Sequence, residues 1–207
     1  DMKNDIRAVA FDCDGVMFDT TRANKAYYNH ILKQFGRAEM TPDQFRYVHM
    51  HTVDESIAHL FQEASERRQA FAYRRQMSYL PFLKYMEMEP DLLPLLSGLR
   101  PKYKTAIATN RTDTMNRVLR THGLTECFDL VVTALDVKRP KPHPDQLDKI
   151  LAAFNLQPNQ ALYIGDSELD ARAADAAGVC FIAYANPALP ADYHIERLGE
   201  VRTILEG

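Results

Sequence analysis

Cysteine is scarce in this chain and forms no pattern. Cys13, Cys127 and Cys180 are odd in number, far apart and without a Cys-x-x-Cys pair, so they suggest neither a disulfide framework nor a zinc knuckle, and buried thiols in a reducing compartment are the simpler account. An excess of positive charge is missing as well. A formal net charge of -3 and a pI near 6.2 lack the broad basic signature of a nucleic-acid binder. No apolar stretch approaches the length of a membrane span, and the first residues carry no basic-then-apolar leader. Repeats and low-complexity tracts are absent too. Asp1 stands before Met2, which leaves open where the native chain begins. The expectation is a soluble, cytoplasmic protein, a monomer or small homo-oligomer, with no nucleic-acid or membrane partner. With 207 residues, 46% of them hydrophobic, the chain can build one sizeable core, or a core plus a small accessory domain.

What is present alternates. Short β-rich runs, "IRAVAF" (6–11), "TAIAT" (105–109), "LVVTA" (130–134), "ALYIG" (161–165) and "CFIAY" (180–184), are separated in the second half by the helical patterns 112–123, 144–154 and 167–178. This is the mark of a parallel sheet covered by helices. Thr112 and Ser167 are suited to cap helix starts, and Gly123 and Gly178 to stop them. Residues 20 to about 85 break the rhythm with helical patterns only. The reading is an α/β, doubly wound parallel-sheet (Rossmann-like) core, residues 1–18 and 86–207, with a small all-helical domain, 19–85, inserted after the first strand.

In "VAFDCDGVMF" (9–18) an apolar run ends on two carboxylates. Asp14-Gly15 by itself is an ordinary turn signal; Asp12 is not explained that way. In open parallel sheets, ligands bind outside the carboxyl ends of the strands, and polar residues collect at those ends here. Asp12 and Asp14 follow the first strand; Thr109, Asn110 and Arg111 close "TAIAT"; Lys138 and Lys141 follow "LVVTA"; Asp166 and Asp170 follow "ALYIG". Several acids at one rim raise one another's pKa unless a cation compensates. An oxygen-rich set of this kind suits magnesium together with a phosphate ester. An aspartate can then serve as nucleophile, with Thr and Lys meeting the phosphoryl charge.

Four of these segments, "DCDGV", "ATN", the lysine of "KPHP" and "GDSELD", taken in order and each at an expected strand end, resemble the motifs of the haloacid dehalogenase-like hydrolase superfamily. The likeness is to its phosphatase branch with a helical cap, the phosphoglycolate phosphatase and β-phosphoglucomutase type. That resemblance implies Asp12 as nucleophile, Asp14 as general acid/base, and Thr109 and Lys141 as phosphoryl ligands. It also implies magnesium held by Asp12, the Asp14 backbone carbonyl and Asp166, with Asp170 supporting its waters. The second acid, Asp14, disfavours dehalogenation, because phosphoryl-transfer members carry it and dehalogenases lack it. The expected activity is hydrolysis of a small phosphorylated metabolite. The alternatives are a phosphomutase with the same residues and, less favoured, a non-catalytic regulatory protein on the same fold.

Other residues admit two readings. Lys141, followed by Pro-x-Pro, fits the third motif better than Lys138. Asp170 fits either the site or ordinary stabilisation of a helix start. Asn110 and Arg111 lie where they could touch substrate; Arg111 could equally dress a loop. In "VHMHT" (48–52), His51 and Thr52 fall at a junction between expected cap helices, where related enzymes place a specificity loop; surface residues are the rival account. Arg67, Arg68, Arg74 and Arg75 are spaced for surface ion pairs with Glu63 and Glu66.

Overall fold

The computed structural model describes residues 5–207. Their contacts divide into two compact units, one running up to Asp19 and again from Met88, the other Thr20–Glu87.

The first unit is built on strand β1 (Ala8–Phe11), in which all four residues are buried. The chain then passes through the two-residue strand β2 (Phe18–Asp19) into the helical unit and returns at β3 (Glu87–Met88). After α5 (Leu92–Leu99) come β4 (Lys104–Ala108), α6 (Met115–Thr121), β5 (Leu130–Val132), α7 (Asp145–Phe154), β6 (Ala161–Gly165), α8 (Glu168–Ala177), β7 (Cys180–Tyr184), β8 (Tyr193–Ile195) and α9 (Val201–Glu206). Six strands form one sheet in the order β5-β4-β1-β6-β7-β8, every pair parallel.

Continuous apolar runs rather than alternating ones suit strands covered on both faces. Small residues at Ala8, Ala10, Ala106 and Ala108 leave room for Leu147, Ile150 and Leu151 of α7 and for Ala174 and Ala177 of α8 in one cluster. Ser167 caps α8 through a reciprocal capping box with Asp170, and Gly178 ends that helix in the left-handed region, as expected of these residue types. Thr112 does not cap its helix: α6 begins three residues later, after Thr114, and the Thr112 hydroxyl turns to Asp113 instead.

The helical unit holds α1 (Thr21–Gln34), α2 (Pro42–Met50), α3 (Val53–Leu60) and α4 (Ala64–Gln76). Its core mixes rings with aliphatic chains: Tyr27, Tyr28, Phe61 and Phe82 pack with Ile31, Leu32, Ile57 and Leu60. Edge-on ring pairs such as Tyr27 with Phe82, 5.6 Å apart at 86°, and Phe35 with Phe61, 5.3 Å apart at 69°, follow the preference of aromatic quadrupoles. Glu66 pairs with Arg37, not with the arginines of its own helix, while Glu63 accepts from the Ser65 and Glu66 amides at the start of α4.

Successive strands leave β1 in one direction through β4 and β5, and in the other through β6, β7 and β8. The order therefore reverses at the β1/β6 boundary, where open α/β sheets bind ligands. Phe11 is level with both Ile107 and Ile164, so the residues that follow these three strands emerge side by side.

Candidate active site

Asp12, the first residue beyond β1, donates its amide to the Ile164 carbonyl at 2.9 Å, and Thr109, the first beyond β4, donates its amide to Val132 at 3.0 Å. Sheet hydrogen bonding thus fixes both backbones. β1 ends at Phe11, and Cys13 already belongs to a turn whose carbonyl accepts from the Met17 and Phe18 amides at 3.0 and 3.2 Å. Strand alternation therefore stops short of Asp14, and the turn sets that residue's direction. Cys13 is fully buried, and burial pushes its thiol well above the ordinary range. Gly15 is required in that turn on two counts. It has a φ of 83°, and a Cβ there would overlap the Asp166 carboxylate.

Lys141 is the centre of the site. Its side chain is 4% exposed, and its ammonium lies 2.9 Å from Asp12 Oδ1, 2.7 Å from Asp170 Oδ1, 2.8 Å from Tyr163 Oη and 3.0 Å from the Ala108 carbonyl. Burial alone would lower its pKa, but the charges and hydrogen bonds of Asp12 and Asp170 outweigh that and raise it, so it is held as a cation. Its backbone is held as firmly: the Lys141 amide donates to Gln146 Oε1 at 3.1 Å, and Asn110 Nδ2 donates to the Lys141 carbonyl at 2.9 Å. Gln146, wholly buried, also donates to the Thr109 carbonyl at 2.6 Å. Lys138, by contrast, is exposed.

Asp170 is fully buried. Its Oδ1 accepts from Lys141 and from Tyr163 Oη at 2.8 Å, and its Oδ2 from the Asp166 and Ser167 amides at 3.1 and 3.2 Å and from the Ser167 hydroxyl at 2.9 Å. Burial opposes its charge, yet Lys141 and these donors overcome it and lower its pKa. Gly165 admits this arrangement, since a Cβ there would overlap the Asp170 side chain. Asp166 has fewer donors, and burial followed by the Asp170 charge pushes it up to about 7. Asp12 is raised too, by burial first, which the Lys141 charge offsets only in part.

Carboxylate oxygens of Asp12, Asp166 and Asp170 lie within 4.8 Å of one another. Three acids facing one lysine are under-neutralised, and hard oxygen donors of this kind fit a divalent cation.

Asp14 is paired with a different cation. Arg111 grips it with one edge of its guanidinium, Nε at 2.9 Å from Oδ2 and Nη2 at 2.8 Å from Oδ1, while Nη1 donates to Thr114 Oγ1 at 3.0 Å. Thr109, 1% exposed, accepts the Arg111 amide on its hydroxyl at 3.0 Å. One rim therefore gathers Asp12, Asp14, Thr109, Asn110, Arg111, Lys141, Asp166 and Asp170. Tyr163 and Gln146 join them unannounced by the sequence motifs.

His51 and Thr52 belong to the helical unit. His51 follows α2; its Nδ1 is 2.7 Å from the Tyr47 carbonyl and its ring stacks on Tyr47 at 3.8 Å. Thr52 caps α3: its hydroxyl accepts the Glu55 amide at 3.2 Å while Glu55 accepts the Thr52 amide at 2.9 Å.

Fold and site together define an α/β enzyme with acids and a lysine at the switch point of a parallel sheet. The chain belongs to the haloacid dehalogenase-like hydrolase family, whose model matches residues 9–184. A crystal structure of a haloacid dehalogenase-superfamily hydrolase of subfamily IA, variant 1, from Geobacter sulfurreducens is 38% identical. It superposes with a TM-score of 0.92 over 97% of this chain and 96% of that one. The pyrophosphatase PpaX of Bacillus velezensis is 28% identical over 186 residues, 84% of this chain and 80% of its own length. A β-phosphoglucomutase from Clostridium difficile, at 17% identity and a TM-score of 0.72 over 97% of each chain, shares the fold.

Proposed function

We propose that the protein is a magnesium-dependent phosphatase that hydrolyses a small phosphorylated compound through a phosphoaspartyl intermediate on Asp12. The observation that carries this reading is the buried ammonium of Lys141 on the carboxylate of Asp12. Such a contact suits a nucleophile that must accept a second anion beside it.

In the first half-reaction an Asp12 oxygen attacks phosphorus and the bond to the leaving oxygen breaks. Asp14 delivers a proton to that oxygen. In the second, Asp14 takes a proton from water, whose oxygen attacks phosphorus; phosphate leaves and the Asp12 carboxylate is restored. Lys141 balances the charge on the Asp12 and phosphoryl oxygens throughout, and Thr109 contributes a hydroxyl. Arg111 aims Asp14 and, together with Asn110, borders the substrate. Magnesium, held by Asp12, the Asp14 backbone carbonyl and Asp166, would supply compensating charge for the acids and the phosphate. Asp170, with its oxygens taken up by Lys141, Tyr163, Ser167 and the Asp166 amide, supports this set from behind. The helical unit acts as the cap, with His51 and Thr52 influencing which compound is accepted.

The test is a panel of phosphate monoesters together with inorganic pyrophosphate, because a relative bears the name pyrophosphatase. Released phosphate is measured with magnesium and after chelation, and a coupled arm follows sugar 1-phosphate to 6-phosphate conversion. Magnesium-dependent phosphate release that Asp12→Asn abolishes is expected. Conversion of the sugar phosphate without phosphate release would favour the mutase. Undiminished release by Asp12→Asn would end the reading.

A further inference from the structure

Tyr163 lies in the middle of β6, fully buried, with its hydroxyl 2.8 Å from Lys141 Nζ, 2.8 Å from Asp170 Oδ1 and 3.1 Å from the Ala108 carbonyl. A packing role for the ring does not call for a hydroxyl at this place, and a phenol buried beside two charges is the more costly choice unless it is used.

Counting hydrogens shows what the hydroxyl does. The Lys141 ammonium has three N–H groups and the phenol one O–H, four donors in all. Within reach stand four acceptors: Asp12 Oδ1, Asp170 Oδ1, the Ala108 carbonyl and the phenol oxygen itself. The set is balanced before any phosphate arrives. A phosphoryl oxygen that needs an N–H from Lys141 must take one already in use. With the phenol present, the N–H given up is the one directed at Tyr163 Oη. The two remaining N–H groups and the phenol O–H still cover Asp12, Asp170 and Ala108. Without the phenol, all three N–H groups are needed for those three oxygens, and lending one strands a buried acceptor.

We propose that Tyr163 is a positioning residue that releases one N–H of Lys141 to the phosphoryl group by covering Asp170 or the Ala108 carbonyl in its place. The proposal rests on the phosphatase reading of the same site.

The experiment measures binding of inorganic phosphate to the full chain with saturating magnesium by titration calorimetry. Wild type, Tyr163→Phe, Lys141→Met and the double variant are compared. Leaving one buried acceptor without a donor corresponds to a loss of about 5- to 150-fold, so Tyr163→Phe should weaken phosphate binding by that factor. Its affinity for magnesium in the absence of phosphate should stay as in wild type. In the Lys141→Met background the same substitution should cost nothing further. A role in packing alone would shift the melting temperature and would affect phosphate equally in both backgrounds. Should Tyr163→Phe fail to fold, Tyr163→Leu removes the same hydroxyl and carries the comparison. Wild-type phosphate affinity in the hydroxyl-deleted protein, or an equal loss in both backgrounds, would overturn the proposal. A wild type that binds no phosphate would instead bring down the phosphatase reading, and this inference with it.

Discussion

The two units bury different things. Among the described residues, the α/β unit takes Asp12, Glu89, Thr105, Thr109, Lys141, Gln146 and Asp170 into its interior, whereas the helical unit buries one polar residue, Ser56, and otherwise fills itself with rings and aliphatic chains. Burying charge is expensive unless it is paired and hydrogen-bonded. A fold that does so at the ends of its strands has spent stability on chemistry. A fold held together by edge-on aromatic pairs can vary its surface at little cost. Substitutions at the strand ends of the first unit should therefore be severe and hard to compensate, and those on the second should be mild and selective.

The sharpest form of that contrast lies within the first unit, between two lysines three residues apart. Lys141→Ala leaves Asp12 and Asp170 facing each other without a cation, and breaking a buried ion pair in this way costs about 3–5 kcal/mol. Turnover should fall to background and the melting temperature should drop. Lys138→Ala, at an exposed position, should change neither. Steady-state rates and thermal melts of the two variants decide it. A dead Lys138 variant would show that the third motif had been placed on the wrong lysine.

Next in size is the division of labour between the two acids. Asp12→Asn should form no phosphoenzyme. Asp14→Asn keeps the nucleophile but loses the proton carrier, a contribution of about 10²–10⁴-fold. With an aryl phosphate, whose leaving group needs little protonation, Asp14→Asn should still be phosphorylated yet turn over slowly. An adduct of about 80 Da, one PO₃H group on a carboxylate, should accumulate in acid-quenched intact-mass spectra. Its appearance in Asp12→Asn would reverse the assignment.

A smaller effect separates the units by pH. Asp166 is pushed up to about 7, against about 4 for a carboxyl in an unfolded chain. Between those values the folded protein keeps a proton that the unfolded chain has lost, so without metal the stability falls as pH rises across that window. Asp12 moves in the same direction, while Asp170 is lowered and contributes stability that disappears only in acid. A cation prefers the ionised acids. The rise in melting temperature on adding magnesium should accordingly be larger at about pH 8 than at about pH 5. Equal rises at both would show that these acids do not hold the ion. Excess calcium, which favours more ligands and looser geometry, should suppress turnover.

Much of this was legible in the sequence because the sheet is parallel. Strands buried on both faces read as unbroken apolar runs, so a carboxylate or threonine at the end of one stands out, as Asp12 and Thr109 do. The same rule hid Tyr163, since "ALYIG" reads as a buried strand in which tyrosine is simply a good β-former. Gln146 was hidden by the helical pattern around it. The bond from Arg111 to Asp14 joins residues 97 apart in sequence, and no local pattern carries that distance. β8, three residues at the sheet edge with a mixed burial pattern, is too short for periodicity to register. The offset of α6 from Thr112 was hidden because its start carries no side-chain cap: the Thr114 hydroxyl accepts from Arg111 instead of from a helix amide.

The smallest expected effect belongs to the helical unit, at the junction of α2 and α3. Thr52 is held by its capping box with Glu55, and His51 by the Tyr47 carbonyl and ring, with His59 stacked on the same tyrosine at 3.8 Å. Losing a cap costs about 1 kcal/mol, so Thr52→Ala should lower the melting temperature slightly, and His51→Ala hardly at all because the residue is exposed. Neither is among the residues proposed to hold magnesium, and the metal concentration for half-maximal activity should stay as in wild type. If the junction reads the substrate, the order of kcat/KM across the phosphate ester panel should change in one or both variants, while Thr52→Ser, which keeps the cap, restores stability. A preserved order in both, with only the small stability loss of Thr52→Ala, would make these residues what their hydrogen bonds already describe, a helix cap and its stacked neighbour.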